Sequence, residues 1–196
     1  MVVAVAAWLV AVASGFAIFE RYESTPGSAG APAIDWPANT AIPLESNRLT
    51  LVLAIHPRCP CSAATVEVLE RVLAARAGRT KLNALLFKPA HKPASWASSS
   101  TSRTLANMAD TKTWLDDEGR EAAQFGAVTS GQLLIYDSEG HLRFSGGITA
   151  LRGQSGANAG SDALLALLDD QPTEIKHTPV FGCSLLSAPT PANEDR

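Results

Sequence analysis

Three cysteines are the residues of this sequence best suited to chemistry. Cys59 and Cys61 stand one residue apart in the stretch IHPRCPCSAAT, and Cys183 follows much later in HTPVFGC. An aliphatic run precedes the pair and a helical pattern follows it, which predicts both thiols at the start of a helix. The free N–H groups and partial positive charge of a helix N-terminus favour a thiolate, and Arg58 and a protonated His56 would add positive charge.

The spacing of the pair predicts a labile bond. Two residues along an extended chain cover about 7 Å, which is near the upper limit for the Cα atoms of a disulfide. A Cys59–Cys61 bridge therefore needs a bend and carries strain, because Pro60 fixes its own φ and favours an extended residue before it. Three thiols permit one bridge. Cys183 is predicted either to bridge Cys59 or Cys61, or to pack as an unpaired thiol.

A metal site is the main alternative use of the same side chains. Two imidazoles and three thiols are available, and these are ligands that Cu(I) and Zn prefer. The set is His56, Cys59, Cys61, His177 and Cys183. The redox hypothesis requires no cofactor, whereas this alternative is a copper- or zinc-binding, metallochaperone-like module.

The elements that must position these residues alternate between strands and helices. Aliphatic runs predict strands at 48–55, 81–87, 111–115 and in both halves of 132–147, where a Ser-Glu-Gly turn predicts a hairpin. Helical patterns cover 62–77, 118–127 and 161–170, the last with Ser161 or Asp162 as its cap. The stretch 91–104 is predicted as a polar loop with one helical turn. This order predicts an α/β sandwich with a mainly parallel sheet and an antiparallel edge.

A glycine-rich stretch, RGQSGANAG at 152–160, precedes the last predicted helix. It lacks the Gly-x-Gly-x-x-Gly and Walker patterns of phosphate-binding loops. We predict instead a structured loop that shields the redox site, with Arg152 and Asn158 binding backbone carbonyls.

The composition and the N-terminal segment indicate which partners and which location the domain has. The chain has 196 residues, a net charge of −3 and no block of Lys or Arg, which argues against a nucleic-acid partner. Residues 1–19 carry no charged side chain and would span about 28 Å as a helix, close to the thickness of a hydrocarbon core. We predict a retained anchor rather than a cleaved signal peptide, because no Lys or Arg precedes the apolar run. Residues 20–47 are predicted as a flexible linker, 48–170 as the domain, and 171–196 as a C-terminal extension with a disordered tail.

Several of these stretches resemble known proteins. The strand, the RCPCS turn, the helix and FGAVTSGQLLIYDSEGHLRFSGG resemble the thioredoxin-like superfamily over about 48–170. HPRCPC, SGGITALRGQSGANAG and TPVFGCSL together resemble bacterial membrane-anchored RedB-type thioredoxin-like proteins, through Leu186. The resemblance implies a thioredoxin-like three-layer α/β/α sandwich and thiol–disulfide chemistry.

The sequence departs from the thioredoxin pattern at two places. Thioredoxins use Cys-x-x-Cys, whereas the matching stretch of this chain reads RCPC. Either Arg58 occupies the place of the attacking cysteine, or the turn is one residue shorter and Cys59 attacks. The loop opposite the cysteines has Ser130 and Gly131 where Thr-Pro is expected, although Gly131 still permits a close backbone approach.

The resulting hypothesis is a membrane-anchored thiol–disulfide oxidoreductase. Cys59 attacks through its thiolate, and Cys61 or Cys183 resolves the mixed disulfide. The residues expected to modulate the site are His56, Arg58, Pro60, Ser130 and Gly131. Expected partners are protein thiols or disulfides, or a small thiol. Since a working disulfide needs an oxidising compartment, we expect a single-pass bacterial inner-membrane protein with its domain on the periplasmic side. A non-catalytic thioredoxin-fold interaction domain is a third hypothesis.

Overall fold

A computed structural model describes residues 1–185; the part of the predicted tail from Leu186 onward lies outside the described residues. In chain order, its elements are α1 (Val2–Ser24), β1 (Leu49–Ile55), α2 (Cys61–Ala74), β2 (Thr80–Lys88), a 3-10 turn (Ala94–Ala97), α3 (Ser100–Asn107), β3 (Thr111–Asp117), α4 (Arg120–Gln124), β4 (Gln132–Tyr136), β5 (Leu142–Gly146) and α5 (Ala159–Leu168).

The five strands form one sheet in the order β3-β2-β1-β4-β5. β1 pairs in parallel with β2, and β2 pairs in parallel with β3. β4 runs antiparallel to β1 and forms a hairpin with β5. The aliphatic β1 lies in the centre and is buried from Thr50 to Ile55, as expected for a strand covered on both faces. The predicted parallel sheet with an antiparallel hairpin edge is confirmed.

Two hydrophobic clusters cover the two faces of the sheet. On one face, alternate side chains of β1, such as Leu51 and Leu53, pack against α2, α3 and α5. On the other face, Val52 packs with Phe125 just after α4, and with Ile42 and Leu185 from the two ends of the domain. The three-layer arrangement therefore has a full helical layer on one side. Its other layer is built from the short α4 and from segments that flank the domain.

The stretch predicted as a flexible linker is partly built into this second layer. Trp36 makes edge-to-face contacts with the rings of Phe125 and Tyr136, and Ile42 is 3% exposed. The Tyr136 hydroxyl donates to the carbonyl of Ala33 at 2.8 Å. The expectation of a free tether does not hold for these residues, because their apolar side chains cover a face that the short α4 leaves open. The domain boundaries themselves stay a prediction.

Two local expectations are corrected by hydrogen bonds at helix starts. Part of the predicted polar loop at 91–104 folds as α3, because Ser99 and Ser102 form a reciprocal capping box and Leu105 is buried. The cap of α5 is Asn158 rather than Ser161 or Asp162, since the Asn158 side chain accepts the N–H groups of Gly160 and Ser161.

Helix α1 is, within residues 1–185, the one helix long and apolar enough to cross a membrane. It has 23 residues and a mean hydropathy of 2.4 over its apolar window, none of which is buried against the domain. Its length and composition agree with the predicted anchor, and a signal sequence has the same properties.

Candidate redox site

The turn between β1 and α2 presents the first two thiols. The Cys59 N–H donates to the carbonyl of His56 at 3.0 Å, which closes a tight turn directly after β1. Pro60 is the N-cap of α2, and Cys61 is its first helical residue. A proline suits this place because its φ is already helical and the N–H that it lacks would have no intrahelical partner. The prediction of a helix start at this pair is confirmed.

The structure brings Cys183 to Cys59. Their Sγ atoms lie 2.8 Å apart, although the two residues are far apart in the chain. A disulfide bond measures about 2.0 Å, so less than about 1 Å of movement separates this contact from a bond. Both thiols are free in the structure. Cys59 is 3% exposed and Cys61 is 7% exposed, whereas Cys183 is half-buried.

A short strand-like pairing holds Cys183 in this place. The Ser130 N–H donates to the carbonyl of Cys183 at 2.8 Å, and the Leu185 N–H donates to the carbonyl of Val128 at 2.9 Å. Thr129 and Ser184 form an antiparallel bridge between these two bonds. We call residues 182–185 the cysteine tail. It lies against the loop that precedes β4, which is the loop where the thioredoxin pattern would have its Thr-Pro.

Two glycines allow the backbones around the thiols to approach closely. A Cβ on Gly182 would lie 1.8 Å from the Ser130 carbonyl oxygen, so no larger residue fits before Cys183 without moving the cysteine tail. Gly131 has a φ of +91°, and a Cβ there would lie 3.0 Å from the Thr65 hydroxyl on α2. The Gly131 backbone thus lies close to the Thr65 side chain, in a conformation that favours glycine.

The three thiols differ in acidity. Burial opposes ionisation of Cys59, but hydrogen bonds from the side chains and backbone N–H groups of Cys183 and Ser62 lower its pKa overall. Burial and the neighbouring Cys59 charge raise the pKa of Cys61. Burial and the contact with Cys59 raise the pKa of Cys183 to about 12. Cys59 is therefore the thiol that ionises first, with Cys183 as a hydrogen-bond donor to it.

A chain of buried hydroxyls leads to Cys59. The His56 N–H donates to the Ser130 hydroxyl oxygen at 2.7 Å, and the hydroxyls of Ser130 and Ser62 lie 2.6 Å apart. Either hydroxyl of this pair can be the donor in their hydrogen bond. The Ser62 side chain also hydrogen-bonds Cys59 and lowers the pKa of its thiol. Ser130 thus acts on Cys59 through Ser62.

The two predicted positive charges lie differently from the expectation. The Arg58 guanidinium stacks over the ring of Trp96, 4.6 Å from its centroid. The His56 ring stacks on Phe87, and its Nδ1 accepts the Arg58 N–H at 3.2 Å. Burial lowers the pKa of His56, so the imidazole is neutral at pH 7. Hydrogen bonds from Cys183 and Ser62, rather than these charges, lower the pKa of Cys59.

Arg152 connects the glycine-rich loop to the cysteines and to the end of α1. It donates to the carbonyls of Gly182 at 2.7 Å and Tyr22 at 3.1 Å, and it lowers the pKa of Cys61. Asn158 donates to the carbonyl of Ile148 at 2.8 Å. The predicted carbonyl binding by Arg152 and Asn158 is confirmed.

Two residues of the site were not predicted from the sequence. They are Ser62 and Gly182, each of which is the direct neighbour of a cysteine in the chain. A small or hydroxyl-bearing residue beside a reactive thiol is the signal that could have indicated them.

The alternative metal set is not assembled. Within residues 1–185, no group of three or more His, Cys, Asp or Glu side chains is arranged to hold a metal ion. Cys59 and Cys183 meet, and Cys61 lies beside them, but His56 faces Phe87 and Trp96. His177 belongs to a bridge with Ser145 on β5.

Comparison with known proteins identifies solved structures of similar fold. No family model matches the chain, and no curated protein matches it either. A hypothetical protein from Sinorhizobium meliloti 1021 superposes with a TM-score of 0.60 at 19% identity, over 85% of this chain and 98% of the other. An uncharacterized conserved protein from Geobacillus kaustophilus gives 0.58 at 16% identity, over 85% and 94%. A secreted Mycobacterium tuberculosis disulfide oxidoreductase gives 0.45 at 16% identity, over 65% and 84%.

The strand order and the two superpositions with TM-scores of 0.60 and 0.58 define the fold of the domain. A β1-α2-β2 unit and a β4-β5-α5 unit share one sheet, and the cysteine turn begins the first helix of the domain. The chain has a thioredoxin-like fold, as its sequence pattern predicted. The particular resemblance to RedB-type proteins stays a prediction.

Proposed function

We propose that this chain is a membrane-anchored thiol–disulfide oxidoreductase whose redox couple is Cys59 and Cys183. The observation that carries the proposal is the 2.8 Å contact between their sulfur atoms. Of the two partners that the sequence left open for Cys59, this contact favours Cys183. Cys61 is a third thiol next to the couple, and its raised pKa keeps it protonated at neutral pH.

The chemistry is an exchange of bonds between sulfur atoms. The Cys59 thiolate has the lowered pKa that thiol–disulfide exchange requires, together with hydroxyl and N–H donors that stabilise it when it is released. Cys183 lies close enough to form or break a disulfide without rearrangement of the sheet. The partners we propose are protein thiols or disulfides, or a small thiol, and no cofactor takes part.

The test is catalysed exchange between glutathione disulfide and a fluorescent peptide that carries two cysteines. The full chain in detergent micelles should accelerate the exchange. Cys59→Ser should abolish it, and Cys183→Ser should lower it at least about a hundredfold. Cys61→Ser is the matched control and should keep most of the rate. Wild-type protein that gives only the uncatalysed rate would contradict the proposal and favour the non-catalytic interaction domain.

We propose further that α1 anchors the chain in a bacterial inner membrane, with the domain on the periplasmic side. The apolar helix and a cysteine couple that needs an oxidising compartment support this placement. Protease added to spheroplasts should degrade the domain without detergent. A domain that stays intact until the cells are lysed would contradict the placement.

A further inference from the structure

The two sulfur atoms of the couple differ in their access to solvent. Cys59 lies under the cysteine tail and at the start of α2, and only 3% of it is exposed. Cys183 is half-buried, and its neighbour Ser184 is exposed. A sulfur atom under attack in a disulfide must be reached from the side opposite its bonded partner. Cys59 is almost fully buried, which closes this path to its sulfur, whereas Cys183 keeps exposed surface.

The two sulfur atoms also differ as leaving groups. If a thiolate attacks Cys183, then Cys59 leaves into a place with hydrogen-bond donors from Ser62 and from the Cys183 backbone. If a thiolate attacks Cys59, then Cys183 leaves without comparable stabilisation, because burial raises the pKa of its thiol to about 12. A thiol with a lower pKa leaves faster in such an exchange. Solvent access and the pKa of the leaving thiol therefore both favour attack on the Cys183 sulfur.

We propose that Cys183 is the point of entry for a client dithiol, which the oxidised protein converts to a disulfide. The inference rests on the proposed Cys59–Cys183 couple and adds the direction of electron flow and the residue that carries the mixed disulfide. The client sequence is not specified by this chemistry; what is required is two thiols close enough to form one disulfide.

Two successive exchanges move two electrons from the client to the couple. A client thiolate attacks Cys183 Sγ, the Cys59–Cys183 bond breaks, and its electron pair leaves with Cys59 as a thiolate. The second client thiolate then attacks the client sulfur of the mixed disulfide. The client disulfide forms, and Cys183 leaves and takes up the proton that the second client thiol gave to solvent. The client loses two electrons, and the couple gains them.

The test locates the mixed disulfide. Full-length Cys61→Ser protein in micelles is oxidised, and its Cys59–Cys183 bridge is verified by peptide mapping. Reduced glutathione is then added together with iodoacetamide, which traps any thiolate that is released. Mass spectrometry should find glutathione on Cys183 and the alkyl group on Cys59, in an excess on the order of tenfold or more over the reverse pattern.

Two outcomes would overturn the proposal. They are glutathione found mainly on Cys59, and equal labelling of both cysteines. A failure of the proposed couple is a separate result, since the bridge would then be missing at the mapping step. Oxidised wild-type protein should also oxidise a two-cysteine peptide faster than the reduced protein reduces the disulfide form of that peptide. The reverse order of rates would contradict the direction of electron flow.

Discussion

Cys59 has two thiol neighbours, and the molecule places them very differently. Cys61 is two residues away and belongs to the first turn of α2, where burial and the Cys59 charge keep it protonated. Cys183 comes from the other end of the domain, and it reaches the Cys59 sulfur through backbone pairing with the loop before β4. Cys61 also has a side-chain hydrogen bond with Cys59, but the 2.8 Å contact between sulfur atoms is made by the distant Cys183.

Backbone geometry fixes which thiol reaches Cys59. Pro60 is the N-cap of α2 and fixes its own φ, so a bridge between its two neighbours carries strain. The cysteine tail meets no such restriction, because its strand-like backbone and Gly182 let it lie flat against Ser130. Substitutions that disturb one of the two thiol neighbours at a time therefore test this difference.

The largest expected effect comes from Gly182→Ala. The new Cβ meets the Ser130 carbonyl at 1.8 Å, so the cysteine tail has to move away from its partner strand. We expect a loss of about 1–3 kcal/mol in the free energy of unfolding and slower formation of the Cys59–Cys183 bridge. Thermal denaturation and a time course of thiol trapping measure the two effects.

Gly156→Ala is the matched control for this change. A Cβ at Gly156 meets nothing within 4 Å, so this variant should behave like the wild-type protein in both measurements. Equal stability and equal bridging rates in Gly182→Ala and Gly156→Ala would show that the tail does not hold Cys183 in register.

The second prediction concerns the hydroxyl chain. Ser62→Ala removes a donor to the Cys59 sulfur and should raise the pKa of Cys59 by about one pH unit. Ser130→Ala should raise it less, because Ser130 only orients Ser62. The absorbance of the thiolate near the far-ultraviolet edge, followed against pH, reports this pKa. Ser138→Ala, in the exposed turn between β4 and β5, is the control. A Cys59 pKa that is the same in all three variants would show that the Ser130 and Ser62 hydroxyls do not stabilise the Cys59 thiolate.

The third prediction is a loss of stability of the reduced protein at alkaline pH. The pKa of Cys183 is raised from 9.0 to about 12, so between these values the unfolded chain has lost the proton that the folded chain retains. Stability therefore falls as pH rises above about 9. The melting temperature of reduced protein should drop by a few degrees from about pH 9 to about pH 10.5, and less in Cys183→Ser. Parallel curves for the two proteins would contradict this assignment.

The smallest effect is expected for Arg152→Gln. This change removes the positive charge that lowers the pKa of Cys61 and weakens the hydrogen bond to the Gly182 carbonyl. Cys61 in folded, reduced protein should then react more slowly with maleimide at about pH 8, while Arg152→Lys keeps most of the charge effect. An unchanged maleimide rate in Arg152→Gln would show that Arg152 does not influence the Cys61 thiol.

Much of the fold could be predicted from local patterns. The β1 run is aliphatic apart from Thr50, and the Ser-Glu-Gly turn marks the β4–β5 hairpin, so the antiparallel edge followed from neighbouring residues alone. Helix α3 was missed because its sequence is polar, and its stability depends on the Ser99–Ser102 capping box and the burial of Leu105. The packing of Trp36 was missed because it depends on a sheet face that α4 leaves uncovered.

The candidate site also combines features that local patterns predict with features that depend on distant contacts. The position of Cys59 and Cys61 at a helix start is a local property, and the sequence predicted it. The choice of Cys183 over Cys61 depends on a contact between residues 124 positions apart, which no local pattern contains. For Arg58, the local pattern predicted a positive charge beside the thiols. Its neighbour in sequence is Cys59, yet its guanidinium stacks on Trp96 from a distant segment.

The proposed couple is tested by the identity of the first disulfide that forms on mild oxidation. Reduced full-length protein is titrated with less than one equivalent of glutathione disulfide, free thiols are alkylated, and the bridged peptides are identified by mass spectrometry. We predict a bridge between Cys59 and Cys183, with Cys61 recovered in alkylated form. A bridge between Cys59 and Cys61, with Cys183 alkylated, would contradict the Cys59–Cys183 couple.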